Sequence, residues 1–299
     1  MPAHAVALAA ITLAAAIVNG ALGYGFSSIT VPLALLFLAN RVLNPAMVPI
    51  EVALNAYVLW VNREALPKIW RRMMPIVFGL LPGIVLGTYV VSEVHPGWLR
   101  FYTYLTLLPL ILLQAAGYRR PIKSEQSIGL AFGGGLGVLY SVTTISGPPL
   151  AVLLNNQGLA RHEFRAALGF IRLAESTMTA IAYSYAGLFT FSSIILIPQI
   201  LPSVAIGVPI GAFLIRHVRA ETFRRVCLSF DAWIVAFGIS TLLRDLKLVT
   251  TNAAYLVLAA VALIDAAMLC RFFSRQARTD REDASIGANL TSAGQDVRY

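Results

Sequence analysis

Residues 133–149 read GGGLGVLYSVTTISGPP and lie inside an apolar stretch that runs from residue 127 to residue 154. The segments on either side, 118–126 and 155–165, are both basic. Basic loops of a membrane protein stay in the cytoplasm, so the stretch between them must enter the membrane and return. Its 28 residues are few for two crossings, which need about 20 residues each. We therefore predict a bent or re-entrant pair of half-helices, with bends at GGGLG and SGPP.

A similar segment lies near the start of the chain, at residues 5–39. Its bend is predicted inside NGALGYGFSSITVP, residues 19–32. The opening MPAHAVALAA lacks the basic region and cleavage site of a secretory signal. We therefore expect this first apolar segment to be retained and the N-terminus to lie outside.

The composition of the chain excludes a soluble domain. Hydrophobic residues make up 58% of the sequence, charged residues 12%, and the mean hydropathy is +0.74, whereas about a quarter of the residues in a soluble domain are charged. Lipid offers the backbone no hydrogen-bond partners, so continuously apolar spans must be helices. The fold class is therefore predicted to be an all-α polytopic membrane protein.

Loop charge gives the predicted orientation of the spans. Further spans are predicted at residues 46–61, 73–92, 98–117, 166–187, 191–215, 225–243 and 250–273. Of the 23 lysines and arginines, 13 lie in four loops, at 62–72, 118–126, 155–165 and 216–225. These loops should face the cytoplasm of a bacterial-type inner membrane, and so should the C-terminus. The net charge of +9 therefore reports topology rather than a nucleic-acid partner.

A weak internal repeat divides the chain. An offset of 124 residues aligns Glu51 with Glu175, and an offset of 117 aligns Gly20 with Gly137. The predicted organisation is a first membrane repeat at 1–117, a cytoplasmic linker at 118–126, a second repeat at 127–245, a final transmembrane helix at 250–273 and a disordered cytoplasmic tail at 274–299. The loop charges orient the two repeats oppositely. Inverted repeats that open with a discontinuous segment are typical of secondary transporters.

The two predicted bends are candidate binding sites for an anion. Hydroxyl residues precede proline in both: Ser27, Ser28 and Thr30 before Pro32, and Thr143, Thr144 and Ser146 before Pro148 and Pro149. A hydroxyl N-cap followed by proline starts a helix, whose free N–H groups and positive dipole end attract anions. The alternative is that these small residues only allow close helix packing.

The span at 166–187 carries a polar stripe, formed by Arg172, Ser176, Thr179 and Tyr183, with Glu175 beside it. Charged residues at bilayer depth face a bundle interior or a wet cavity. Arg172 and Ser176 are therefore candidate substrate ligands, although Arg172 and Glu175 could instead form a structural ion pair.

The first repeat supplies the equivalent glutamate, Glu51, with Asn55 one turn further along. Asn55 is a candidate ligand, and Glu51 and Glu175 are candidate proton-coupling residues. Asp231 and Asp265 also fall in predicted spans. Either could relay protons, but we expect local hydrogen bonds near the ends of their spans.

These segments together resemble a known family. NGALGYGFSSITVPLALLF, its later counterpart GGGLGVLYSVTTISGPPLAVLL, and the HPGWLRF and AETFRR segments are similar to the TauE/SafE sulfite exporter family over roughly residues 8–245. The resemblance implies a duplicated membrane fold that moves small anions such as sulfite and sulfoacetate. The second bend departs from the family pattern, because SVTTISGPP replaces a denser glycine run. The resemblance therefore implies a class of substrate rather than one compound.

The sequence thus predicts a secondary transporter of a small anion, embedded in the lipid bilayer. No nucleotide-binding loop is present in the sequence, so no cofactor and no metal are implied, and the oligomeric state is left open. One alternative is an exporter of neutral or cationic metabolites. Another is a membrane-embedded enzyme or an assembly factor, against which stands the lack of a metal-ligand motif or a Ser, His and Asp set in the spans.

Overall fold

The computed structural model describes residues 2–116, 125–155, 159–214 and 220–295, which are helical apart from short connections and include no strand. The helices are α1 (Pro2–Leu22), α2 (Phe26–Ala34), α3 (Asn40–Val61), α4 (Leu66–Glu93), α5 (Pro96–Ala115), α6 (Glu125–Thr143), α7 (Gly147–Asn155), α8 (Arg161–Tyr185), α9 (Phe191–Ile194), α10 (Ile197–Leu214), α11 (Ala220–Asp245) and α12 (Leu256–Gln295). Short 3₁₀ turns precede α4 and α12, at Arg63–Ala65 and Asn252–Tyr255.

Six helical segments among the described residues are long and apolar enough to cross a membrane: His4–Leu22, Asn40–Val61, Arg63–Glu93, Phe191–Leu214, Arg225–Asp245 and Asn252–Ser274. Each span predicted from the sequence overlaps a helix of the structure. The all-α polytopic membrane fold is therefore confirmed.

Two breaks interrupt the bent segments. The first break, residues 23–25, separates α1 from α2, and its Gly23 and Gly25 have φ values of 82° and 106°. The second break, residues 144–146, separates α6 from α7, and Thr144 has a φ of 55°. Such left-handed values favour glycine. Each break thus turns the chain where a continuous helix cannot form.

The paired segments are unequal rather than two matched halves. α1 has 21 residues and is long enough to cross, whereas α2 and α7 have nine residues each and span only about 14 Å at 1.5 Å per residue. The predicted bend at GGGLG, residues 133–137, was wrong: these glycines lie inside α6. Instead they let α6 approach α4 closely, since a Cβ at Gly133 would lie 2.1 Å from the carbonyl oxygen of Ile76.

The first helix of each predicted repeat packs against a helix of the other repeat. α1 packs against α10, and α6 packs against α4. Both contacts are made through glycine: a Cβ at Gly20 would lie 2.1 Å from the carbonyl oxygen of Val208, and a Cβ at Gly137 would lie 2.6 Å from that of Leu80. Gly20 and Gly137 are the glycines that the sequence repeat aligns. Inverted repeats would produce this exchange, and the duplication itself stays a prediction.

Two further pairs of helices pack across the predicted repeats, α3 against α8 and α5 against α11. α3 and α8 are the helices that carry Glu51 and Glu175. The packing therefore brings the predicted polar residues of both repeats toward one place.

The C-terminal segment differs from the expectation of disorder from residue 274. α12 continues through Gln295. The residues beyond the membrane span include several arginines, glutamine, glutamate and alanine, which have favourable helix propensities. Residues 296–299 of the predicted tail lie outside the described residues, as do 117–124, which include most of the predicted linker.

Candidate polar site between the two halves

A buried ion pair joins α3 to α8. The Arg172 guanidinium donates from Nη2 to Oε1 of Glu51 at 3.0 Å, and both side chains are less than 5% exposed. The sequence left open a structural ion pair between Arg172 and Glu175 on one helix, and the structure pairs Arg172 with Glu51 instead. The observed pair links one predicted repeat to the other.

Glu51 accepts hydrogen bonds from two further donors. The Ser27 hydroxyl in the first turn of α2 donates to Oε1, and the Tyr140 hydroxyl on α6 donates to Oε2 at 2.8 Å. The carboxyl of Glu51 therefore receives donors from α2, α6 and α8. Such a set satisfies a buried carboxylate, which would otherwise carry a large desolvation cost.

Glu175 is less well satisfied. It is fully buried, and the Ser146 hydroxyl of the second break donates to its Oε2 at 2.5 Å. Its Oε1 has no hydrogen-bond partner among the described residues. Each glutamate thus accepts a hydrogen bond from a serine of its own predicted repeat, Glu51 from the first turn of α2 and Glu175 from the second break. Among the described residues, Glu51 forms an ion pair and Glu175 does not.

Four other buried polar atoms of the predicted site region lack partners in the described part of the chain: Thr30 Oγ1, Asn55 Nδ2, Arg172 Nε and Thr179 Oγ1. Native structures leave few such atoms unsatisfied, and each one calls for an explanation. All four groups are N–H or O–H donors, and they lie on α2, α3 and α8, the helices that carry Ser27, Glu51 and Arg172. Arg172 adds a positive charge. Unused donors with a cation are what an oxyanion requires.

Several predicted ligands are occupied locally instead. The hydroxyls of Thr143 and Thr144 donate to the carbonyl oxygens of Leu139 and of Thr143, both at 2.7 Å. The Ser176 hydroxyl donates to the carbonyl oxygen of Arg172 at 2.7 Å. Because each hydroxyl has one proton, these three residues offer an anion no O–H donor in this arrangement.

The two short helices also differ at their amino ends. α2 is capped by Gly25 without a side-chain hydrogen bond, and its ladder begins with Ile29 N–H donating to Gly25 at 3.2 Å. The amides of residues 26–28 therefore lack intrahelical acceptors. In α7, Pro148 and Pro149 have no N–H. The matched pair of amide ends predicted from the sequence is thus one-sided, with α2 as the main donor; Ser28, in the first turn of α2, is buried with it.

The two aspartates lie in different environments. Asp265 accepts from Arg225 at 2.7 Å and from Ser229 at 3.2 Å, so Arg225, which the sequence placed in a cytoplasmic loop, is a buried partner on α11. Asp231 is 3% exposed, and its Oδ1 has no partner within the described residues. The sequence indicated Asp231 as a possible proton relay but favoured a local hydrogen bond, and within the described residues the structure gives Oδ1 no such partner.

A metal site finds no support in the described ranges, where no three His, Cys, Asp or Glu side chains cluster closely enough to hold an ion. The polar groups above are instead hydroxyl, amide, carboxyl and guanidinium groups. Their chemistry suits hydrogen bonding and proton exchange.

Comparison with known proteins gives one match. The model of a family described as sulfite exporter TauE/SafE matches residues 8–240. No curated protein and no solved structure matches the chain. The match covers most of the chain, including both breaks, the α3 and α8 glutamates and Arg172. The chain therefore belongs to the TauE/SafE sulfite exporter family of membrane transporters.

Proposed function

We propose that this protein is a secondary transporter that moves a small oxyanion, with sulfite and organosulfur anions such as sulfoacetate as first candidates, across a bacterial inner membrane. The observation that carries the proposal is the buried Arg172, which bridges to Glu51 while its own Nε and neighbouring donors are unused. A guanidinium with spare donors is a suitable oxyanion ligand. The family match supports the same class of solute.

Binding of the anion has an electrostatic condition. Glu51 already neutralises Arg172, so a second anion beside the pair meets no net positive charge. A proton on Glu51 removes that compensation and releases the guanidinium to the solute. Glu175, whose single assigned donor is Ser146, lies close in sequence to Arg172 and is the second proton acceptor. Anion and proton therefore move together.

Alternating access would use the two predicted repeats. Discontinuous helices at a midplane site and opposed halves are the usual construction of such transporters. α2 and α7 each begin after a break, and a serine at the start of each, Ser27 in α2 and Ser146 just before α7, donates its hydroxyl to a glutamate. A rocking motion of one half against the other would change both hydroxyl–carboxyl contacts together, so that the site opens to one side at a time. We further propose that the C-terminus lies in the cytoplasm, as the charges of the basic loops predict.

One observation favours a second candidate, an exporter of cationic solutes. Two buried carboxyls lie near one guanidinium, so the group carries a net negative charge when both carboxyls are ionised. Such a site attracts a cation. Neutral metabolites lack this attraction.

Solute flux into proteoliposomes tests the proposal. Radiolabelled sulfite and sulfoacetate should enter, with uptake increased by an inward proton gradient, whereas amines and amino acids should not. Arg172→Gln should reduce anion flux at least tenfold. Arg63→Gln is the matched control, because Arg63 lies over the exposed Trp60 ring at 4.5 Å and outside the site. Absence of anion flux at every pH, or flux of amines alone, would overturn the anion assignment.

Conservative variants can distinguish the roles of the Glu51 and Glu175 carboxyls in proton coupling. Glu51→Gln keeps the shape but removes the charge, so anion binding should persist while the proton gradient no longer increases uptake. Glu175→Gln should give the same loss of coupling if both carboxyls exchange protons. Full gradient dependence in both variants would show that neither carries the proton.

A further inference from the structure

A small cavity lies where α11 meets the first break and the start of α7. Its volume is about 20 Å³, and its lining includes Gly25, Ser28, Pro148 and Asp231. A space of this size holds about one water molecule. The cavity therefore touches the first break and the start of α7, on the side of α11, whose described residues take no part in the Arg172 and Glu51 network.

Asp231 is the acidic group of this cavity. Its side chain is 3% exposed, and Oδ1 has no hydrogen-bond partner in the described part of the chain. Among the described residues, no lysine, arginine or histidine lines the cavity. Arg225, on the same helix, is already paired with Asp265. An ionised carboxyl in this position would be buried without a counter-ion, which is strongly unfavourable.

The other groups that face Asp231 are uncharged or weakly acidic. Tyr24 approaches from the first break and Cys227 lies one turn earlier on α11, while α2 contributes Ser28. α1 contributes Val18 and Leu22, and α7 contributes Pro148. None of these side chains supplies positive charge at neutral pH. Neutralisation of Asp231 therefore has to come from a bound cation or from a proton.

The shape and lining of the cavity favour the proton. Metal cations such as Ca²⁺ and Mg²⁺ need six or more oxygen ligands, and this cavity has room for about one water and is lined largely by aliphatic side chains, among them Val18, Leu22, Ile29 and Leu228. A proton needs only the carboxyl itself. One water in the cavity would suffice to deliver it.

We propose that Asp231 is a proton-binding site whose occupancy is linked to the conformation of the first break, and that it forms a second proton-coupling position in addition to the glutamates. The proposal rests on the transport function proposed above. Because the cavity is bounded by Gly25 and Ser28 on one side and by Pro148 on the other, movement of the first break or of the start of α7 alters the contact of Asp231 with water. A proton held in only one of two conformations biases the equilibrium between them, and the bias is reciprocal.

The experiment compares wild type with Asp231→Asn and with the control Asp245→Asn. Asp245 is exposed at the end of the same helix. Infrared spectra of purified protein in lipid at neutral pH should show a protonated-carboxyl band that Asp231→Asn loses and Asp245→Asn keeps. Asp231→Glu should shift the band, which tests the assignment even if the asparagine variant folds poorly.

Transport provides the second measurement. Asp231→Asn should still exchange labelled anion when the pH is equal on both sides. Under a proton gradient, it should accumulate at least tenfold less anion than wild type. An unchanged infrared band, or a lost band with gradient-driven accumulation intact, would overturn the proposal. If wild type moves no anion at all, the proposed function fails, while the infrared band still decides whether Asp231 holds a proton.

Discussion

The guanidinium of Arg172 on α8 bonds the carboxyl of Glu51 on α3 at 3.0 Å, although Glu175 lies only three residues away on the same helix. The two partners are 121 residues apart and belong to different predicted repeats. Any motion that separates α3 from α8 must therefore break this pair or replace it. In the proposed mechanism, a solute anion takes the place of Glu51 beside Arg172, and a proton takes the place of Arg172 on Glu51.

The first prediction concerns this pair. Arg172→Gln leaves the buried Glu51 carboxyl without its cation, and removing one partner of a buried pair costs roughly 3–5 kcal/mol. We expect a lower Tm in thermal unfolding of the purified protein and little transport. The double variant Glu51→Gln and Arg172→Gln removes both charges, so most of the stability should return while transport stays absent.

Arg63→Gln serves as the control for both measurements, since Arg63 is exposed in the turn before α4. It should change the unfolding free energy by less than about 0.5 kcal/mol. A double variant no more stable than Arg172→Gln alone would contradict the view that the unpaired charge causes the loss.

The sequence predicted the helices better than the contacts between them. Apolar length and basic loops locate spans because membranes impose those features on each segment separately. The partner of Arg172 depends on how α8 packs against α3. The spacing of residues along one helix does not indicate that packing. Glu175, three residues further along α8, was the nearest candidate partner in the sequence. The packing of α3 against α8 pairs Arg172 with Glu51 instead.

The glycines illustrate the same limit. Glycine both permits bends and allows helices to approach, and the letters GGGLG at 133–137 do not distinguish the two uses. The structure places this run inside α6 against α4, and the chain breaks at 144–146, where the other predicted bend, SGPP, begins. A further long-range contact has no local signal in the sequence: the guanidinium of Arg41 on α3 donates to the carbonyl oxygens of Val91, Ser92 and Val94, at and just after the end of α4.

The second prediction tests the close approach of α4 and α6. A Cβ at Gly133 would lie 2.1 Å from the carbonyl oxygen of Ile76, whereas a Cβ at Gly135 would have nothing within 4 Å. Gly133→Ala should therefore force the helices apart, at a cost of typically 1–3 kcal/mol. Gly135→Ala should be neutral or stabilise by up to about 1 kcal/mol, because alanine is the better helix former.

Thermal unfolding of the two purified variants decides this prediction, with membrane abundance as a second readout. The two positions lie on the same helix two residues apart. A difference between them therefore reports packing rather than helix propensity. Equal effects of the two substitutions would contradict the close contact.

The third prediction concerns orientation. Glu64 and Glu93 are exposed at opposite ends of the span Arg63–Glu93. In a background with Cys227 and Cys270 replaced by serine, a membrane-impermeant thiol reagent applied to intact cells should label Glu93→Cys and not Glu64→Cys. Labelling of Glu64→Cys should appear once the cells are opened. The opposite pattern would invert the proposed topology, and with it the cytoplasmic C-terminus.

The last prediction concerns the attachment of α12. Arg225 on α11 donates to Asp265 on α12 at 2.7 Å, and Ser229 donates to the same carboxyl oxygen at 3.2 Å. The remaining nitrogens of Arg225, Nε and Nη1, have no partners among the residues that the structure describes. This pair is therefore imperfectly satisfied and fully withdrawn from water.

Asp265→Asn should lower the unfolding free energy by roughly 3–5 kcal/mol, because it leaves a buried guanidinium unpaired. Replacement of both partners, Arg225→Met with Asp265→Leu, should be neutral or stabilising, since apolar residues of similar volume avoid the desolvation cost of two ions. Thermal unfolding measures both effects, and limited proteolysis of α12 shows whether the helix detaches. If the double variant were as unstable as Asp265→Asn, the pair would contribute more than charge compensation, and its hydrogen-bond geometry would be required to hold α12 in place.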